Sequence, residues 1–138
     1  MHQEGVAHLH FHLTEQVIGA FFEVYNELRS GFRESVYERA MVLALRDRGI
    51  KVEQQVGMSV RFRNRPIGRF RADLVVADVV LVELKALPVI ERDHIAQSLN
   101  ALRATGLQVG LILNFGPKAQ IKRLILTRPG IDQAPSNM

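Results

Sequence analysis

Residues 14–48 repeat apolar side chains three and four positions apart, which is the spacing of one helix face. The pattern predicts a helix over residues 15–29 with Thr14 as its cap. Gly31 follows, and glycine supplies the left-handed backbone with which many helices end. A second helix is predicted from residue 32 or 34 to residue 48, with Gly49 closing it. The short gap predicts that the two helices are neighbours.

From residue 52 the apolar period changes to two, which indicates half-exposed strands, and later apolar runs indicate buried ones. Turns are predicted at residues 64–66 and 77–78, and Pro88 separates the third strand from a third helix. The remaining predicted elements are strands from 52 through 62, 69–76 and 79–85, a helix over 91–105, and strands 108–114 and 121–127.

The predicted element order is α-α-β-β-β-α-β-β. A helix between the third and fourth strands suits a right-handed crossover into a parallel neighbour. We therefore expect an α/β fold, a mixed sheet flanked by helices, in a single domain over residues 14–128. Residues 1–13 are expected to form a flexible N-terminal arm and residues 129–138 a disordered tail.

The composition excludes several classes of protein. The 138 residues contain no cysteine, which rules out disulfides, iron–sulfur clusters, zinc ribbons and thiol nucleophiles. They also contain no run of eighteen apolar residues, so we predict no membrane partner and a cytoplasmic location.

Basic residues are concentrated in one predicted hairpin. The chain carries a net charge of +4, with 18 Lys plus Arg against 14 Asp plus Glu. Such an excess fits nucleic-acid binding without establishing it. A solvated hairpin face and a phosphate-binding face are both open interpretations of the following acid-free set: Arg61, Arg63, Arg65, Arg69 and Arg71.

Three charged residues interrupt two otherwise apolar strands: Asp73, Glu83 and Lys85. If the hairpin turn is centred on Asp78, paired positions sum to 156 and Asp73 lies opposite Glu83, at ~5 Å between Cβ atoms. Like charges there destabilise a sheet, and a divalent cation would resolve the conflict. The alternative is a Glu83–Lys85 ion pair with Asp73 at an exposed sheet edge.

Glu34 favours the metal interpretation. It shares a helical stripe with Tyr37, Met41 and Leu45, which is predicted to face inward, where a lone carboxylate is costly. It is expected either to interact with the helix N-terminus or to be a third acid of the metal site.

The residues from Gly31 to Tyr37 form a GxxExxY motif, and Asp73 with Glu83-Leu84-Lys85 resembles the D…ExK core of PD-(D/E)xK nucleases. Together with the downstream helix that carries Gln97, the chain resembles the GxxExxY protein family of that superfamily. The resemblance implies a restriction-endonuclease-like core, metal ligands at Asp73, Glu83 and Glu34, and catalytic roles for Lys85, Glu34 and Gln97.

We therefore expect a nuclease that depends on Mg²⁺ or Mn²⁺ and hydrolyses phosphodiester bonds of nucleic acid, DNA in the first instance, with a metal-activated water. The basic hairpin would steer the polyanion, and a homodimer is one expected assembly. The alternative function is a catalytically silent module that binds nucleic acid or joins a complex.

Overall fold

The computed structural model describes residues 10–126, so residues 1–9 and 127–138, which include the whole predicted tail, lie outside the description. None of the three helices within these residues is both long and apolar enough to cross a membrane. In chain order the helices and strands are α1 (Phe11–Leu28), α2 (Glu34–Asp47), β1 (Val52–Phe62), β2 (Arg65–Val76), β3 (Val80–Lys85), α3 (Arg92–Thr105), β4 (Val109–Phe115) and β5 (Ala119–Ile125).

The five strands form one mixed sheet in the order β1-β2-β3-β4-β5. Strands β3 and β4 are parallel, and the other three pairings are antiparallel. Helix α3 connects the parallel pair, which confirms the predicted crossover and the α/β class. Strand β4 is buried at all seven positions, because helices cover both faces of the sheet at its centre.

Apolar residues of the sheet are divided between two clusters. One cluster joins α1 and α2 to residues such as Val52, Leu74 and Leu113. The other joins α3 to Val75, Leu81 and other residues. The sheet is therefore the middle of three layers, and its two faces are sealed by different helices.

The start of α1 differs from the prediction. The helix begins at Phe11, so Thr14 is buried inside it rather than capping it. The Thr14 hydroxyl donates to the Phe11 carbonyl at 3.0 Å and accepts from Arg123 Nε at 3.2 Å. A threonine that bonds backward along its own helix satisfies its hydroxyl in the interior, so the cap prediction was wrong.

The first hairpin is longer than predicted. Its turn is at Arg63 and Asn64, which both have left-handed backbones (φ 50° and 63°), and β2 resumes at Arg65 instead of residue 69. Pro66 is tolerated in this strand because β3 pairs with β2 only from Leu74 to Val76, which leaves the outer side of β2 without a ladder. Residues 57–71 thus form a two-stranded extension, here named the basic hairpin.

Candidate active site

Asp73 and Glu83 come together on adjacent antiparallel strands. The β2–β3 register pairs Leu74 with Val82 and Val76 with Val80, so paired positions sum to 156 as predicted. At the next position, where Asp73 faces Glu83, the backbone ladder ends. The Leu84 backbone N–H instead donates to the Asp73 side chain, at 2.8 Å from Oδ2. A charged acceptor on a backbone N–H gives a strong hydrogen bond, which fixes one Asp73 oxygen beside Glu83.

The Glu83 carboxyl is the electrostatic centre of the site. Within residues 10–126, Glu83 Oε2 is the one buried side-chain oxygen or nitrogen that has no hydrogen-bond partner. The pKa of Glu83 is raised from 4.5 to about 8, chiefly by burial and next by the Asp73 charge, while the charge of Lys85 opposes the rise. An unpaired buried carboxylate is costly, so this position favours either a proton or a bound cation.

Lys85 follows Glu83 on the same strand face, by the alternation of β3. Its charge is close enough to lower the pKa of Glu83, but the part of the chain that the structure describes contains no Glu83–Lys85 ion pair. Asp73 is half-buried on β2, which lies between β1 and β3. The alternative of an ion pair beside an exposed sheet edge was therefore wrong.

Glu34 lies near the site, but not as predicted. It is the first residue of α2 and is exposed, whereas Tyr37, Met41 and Leu45 of the same stripe are fully buried. The stripe leaves the core where the helix begins, so the inward-facing prediction was wrong for Glu34. Its charge nevertheless contributes to the raised pKa of Glu83.

The GxxExxY motif builds the turn that presents Glu34. Gly31 has φ 115°, which a side chain would strain. The Tyr37 hydroxyl donates to the Arg29 carbonyl at 2.5 Å and accepts from the Phe32 N–H at 3.1 Å. Its ring is fully buried and stacks on Phe115 at 4.1 Å between centroids. The glycine and tyrosine therefore fix the backbone between α1 and α2, just before Glu34.

Two residues that the sequence analysis missed connect Asp73 to α2. Gln55 Nε2 donates to Glu38 Oε1 at 2.8 Å and to Asp73 Oδ1 at 3.4 Å. Gln55 has a left-handed backbone (φ 50°) and makes no ladder pair with Asp73, although their neighbours on both sides pair. Glu38 is four residues after Glu34, on the same helical stripe, and that spacing would have identified it.

The irregular backbone at Gln55 also changes which way β1 and β2 face. Val52 and Leu74 pack with α1 and α2, but Val56 and Ala72 pack with α3. Strict alternation would keep these even-numbered residues on one face. Asp73 therefore lies where the two strands exchange the faces that they present to the helices, between the helix-covered part of the sheet and the basic hairpin.

The predicted site residue Gln97 is not joined to this cluster. It is exposed on α3, and within residues 10–126 no hydrogen bond links it to Asp73, Glu83 or Lys85. Its neighbour Ser98, and not Gln97, is the buried polar residue on that turn of α3. A role for Gln97 therefore depends on substrate reaching α3.

The five predicted nucleic-acid contacts are all exposed, and three share one face of the basic hairpin by strand alternation. These three are Arg61, Arg69 and Arg71. The guanidinium of Arg69 lies over Gly57, where the glycine has no side chain. Arg71 Nη1 donates to the Gln55 carbonyl at 3.3 Å, which connects this face to the Asp73 cluster.

Comparison with known proteins agrees with this geometry. A model of the PD-(D/E)XK nuclease superfamily matches residues 11–124. The chain belongs to the PD-(D/E)XK nuclease superfamily. No curated protein is detectably similar to it. A solved structure, described as the crystal structure of SSO0001, shares the fold with a TM-score of 0.55 and 12% identity, over 68% of this chain and 51% of that one. The chain thus spans about half the length of that protein.

Nucleases of the PD-(D/E)XK superfamily act on nucleic acid and generally use divalent metals. Residues 10–126 contain no group of three or more His, Cys, Asp or Glu arranged to hold a metal. The Asp73–Glu83 pair still fits a hard cation, because Glu83 Oε2 is a buried oxygen without a partner and Asp73 supplies a second carboxylate. Mg²⁺ commonly takes only one or two protein carboxylates and completes its shell with water and substrate phosphate.

Proposed function

We propose that this PD-(D/E)XK protein hydrolyses phosphodiester bonds, in DNA in the first instance, with Mg²⁺ or Mn²⁺. The observation that carries the proposal is the buried, unpartnered Glu83 Oε2 beside a second carboxylate. A structural role would pair such an oxygen with a donor, since buried polar groups in native proteins are almost always bonded. A cation-binding role accounts for it directly.

Asp73 and Glu83 are the proposed metal ligands, with Glu34 as the third acid at the entrance. When bound, the cation supplies Lewis-acid polarisation of the phosphoryl group and makes water a better nucleophile near neutral pH. The Leu84 N–H holds one Asp73 oxygen, which keeps that carboxylate oriented before the cation arrives. Preorientation of this kind lowers the cost of binding.

Lys85 is the proposed catalytic residue, and its ammonium supplies a positive charge in addition to that of the metal. It is half-buried and makes no ion pair among residues 10–126, so its ammonium is available to a phosphate oxygen. Negative charge develops on the phosphoryl oxygens in the transition state, and a positioned cation stabilises it. Gln97 is proposed to contact the same substrate from α3.

The exposed arginines of the basic hairpin support a polyanionic substrate. Five arginines and no acid occupy residues 57–71, and Arg71 connects the face that it shares with Arg61 and Arg69 to Asp73 through Gln55. A backbone laid along that face would lead to the carboxylates. The Gly31–Glu34–Tyr37 turn further supports assignment to the GxxExxY group, and a homodimer is proposed for cleavage of two strands.

Metal titration by calorimetry, beside cleavage assays on labelled DNA and RNA, tests the proposal. The wild type should bind one Mg²⁺ or Mn²⁺, and Asp73→Asn and Glu83→Gln should each weaken that binding and abolish cleavage. Asp78→Asn is the matched control, because Asp78 is an exposed aspartate in the turn between β2 and β3, the strands that carry Asp73 and Glu83. If the wild type binds nucleic acid but neither metal, and cleaves nothing, the chain is a silent binding module.

A further inference from the structure

The end of the basic hairpin exposes two large apolar side chains. Phe62 is 56% exposed and Ile67 is 66% exposed. Phe62 is the last residue of β1, and Ile67 is the unpaired residue at the register shift, since Val60 pairs with Gly68 and Arg61 with Pro66. The two therefore lie near the turn, at the end of the extension farthest from β3.

The position of Phe62 follows from strand alternation. It shares a face of β1 with Val56 and Met58, which pack against the α3 cluster. The apolar face continues outward, beyond the part that α3 covers, and ends at Phe62. The guanidinium of Arg63 lies 4.9 Å from the centre of the Phe62 ring, so cationic and aromatic groups are presented together.

Charge complementarity selects the class of partner. Arg61, Arg63 and Arg65 adjoin the apolar tip in the chain, and residues 57–71 carry five arginines and no acid, so the surface that the tip meets is anionic. Nucleic acid is favoured over an anionic lipid surface because Arg61, Arg69 and Arg71 lie on the face opposite Phe62, and Arg71 connects that face to Gln55 and Asp73. A flexible polymer that passes over the tip can contact both faces and reach the carboxylates, whereas a flat lipid surface contacts only one.

We propose that Phe62, assisted by Ile67, stacks on exposed base faces, so that the chain prefers single-stranded or unpaired nucleic acid to an intact duplex. This deepens the proposed function and rests on it for the polymer class. An aromatic ring finds apolar area on a base face, and in an intact duplex those faces are already stacked. Single-strand binding sites combine a cationic track with such aromatic platforms.

The test measures binding in a chelator, where cleavage does not interfere. Fluorescence anisotropy is recorded over a range of salt for a short labelled single strand and for its blunt duplex. The wild type should bind the single strand more tightly. Phe62→Ala should weaken single-strand binding about tenfold, leave the duplex nearly unchanged, and keep the salt slope. Phe62→Trp should restore the preference.

Two control variants separate stacking from charge and from general exposure. Arg61→Ala should weaken both probes and reduce the salt slope by about 0.7–0.9. Leu43→Ala should change nothing, because Leu43 is equally exposed (64%) but lies on α2, outside the basic hairpin. Ile67→Ala repeats the test with a second tip residue, so the result does not depend on the folding of one variant.

An unchanged ratio of single-strand to duplex affinity in both Phe62→Ala and Ile67→Ala would overturn the inference. So would a wild type that sediments with anionic phosphatidylserine vesicles and loses this with Phe62→Ala, while nucleic-acid binding stays the same. Binding is measured without metal, so it does not depend on cleavage. A wild type that prefers the single strand but never cleaves nucleic acid would contradict the proposed hydrolysis and leave the stacking role standing.

Discussion

The hairpin of β1 and β2 has an inner and an outer half with opposite surroundings. The inner half of β2, from Asp73 to Val76, lies between two strands and under helices, and its three valine and leucine side chains are buried. The outer half, residues 57–71, has one ladder and no acidic residue. The same strand therefore carries a carboxylate where charge is costly and arginines where it is not.

This difference in surroundings determines how strongly each charged residue indicates a function. An exposed arginine costs little to keep, so its presence alone indicates solubility as readily as binding. A carboxylate next to a second buried carboxylate is destabilising unless something compensates. Asp73 and Glu83 are therefore strong indicators of a function, whereas the arginines indicate one only through the Arg71 contact with Gln55 and the exposed tip.

The largest effect is expected from the inner half. Lys85→Ala should leave metal affinity within about twofold and lower the cleavage rate about 10²–10³-fold, because the ammonium is proposed to act on transition-state charge. Calorimetry and single-turnover cleavage measure the two quantities. Lys51→Ala is the matched control, since Lys51 is exposed and bonded to Asp78. A variant that cleaves at the wild-type rate would assign Lys85 to structure.

The next effect concerns stability and pH without metal. The pKa of Glu83 is raised from 4.5 to about 8, so between these pH values the folded chain keeps a proton that the unfolded chain has lost. The free energy of unfolding should therefore fall as pH rises through this window, by on the order of a few kcal/mol. Urea unfolding in a chelator at a series of pH values measures it.

Glu83→Gln should flatten this pH dependence, because the amide does not titrate. Glu53→Gln should retain it, since Glu53 is exposed on β1. Mg²⁺ added at pH 8 should raise the stability of the wild type by mass action, since a ligand that binds the folded state stabilises it. Parallel pH profiles for wild type and Glu83→Gln would show that Glu83 is not the buried acid that the structure indicates.

The sequence was sufficient for the order of the elements and for the Asp73–Glu83 pairing. Both depend on local signals: apolar periodicity identifies the strands, and a three-residue turn over residues 77–79, centred on Asp78, fixes the register. Buried β4 was equally clear, because a continuous apolar run between turn residues has few other interpretations.

The exposure of Glu34 and the role of Gln55 were beyond the sequence for a physical reason. A helical stripe gives a direction but not the point where the neighbouring layer ends, so Glu34 was placed in the core. Gln55 takes a left-handed backbone that a strand pattern does not signal. The tertiary packing of α2 against the hairpin determines both.

The outer half should show its effect in the salt dependence of binding. Replacing Arg61, Arg63 and Arg65 with alanine should reduce the slope of log affinity against log salt by about 2–3 for the triple variant, since each lost phosphate contact removes about 0.7–0.9. Anisotropy titrations in a chelator give the slope. A slope equal to that of the wild type would assign these arginines to solubility and would remove the functional contrast between the halves.

The smallest effect is expected on folding, and it completes the comparison. Arg61 and Arg65 are exposed and far from the carboxylates along β1 and β2, so alanine at either position should change the free energy of unfolding by no more than about 0.5 kcal/mol. Urea unfolding at neutral pH measures this, with Leu74→Ala as the contrasting variant because Leu74 is fully buried in the inner half. That change should cost about 2–5 kcal/mol. A large loss for Arg61→Ala would mean that the outer half is held by its arginines, and their exposure would then no longer indicate a surface kept for binding.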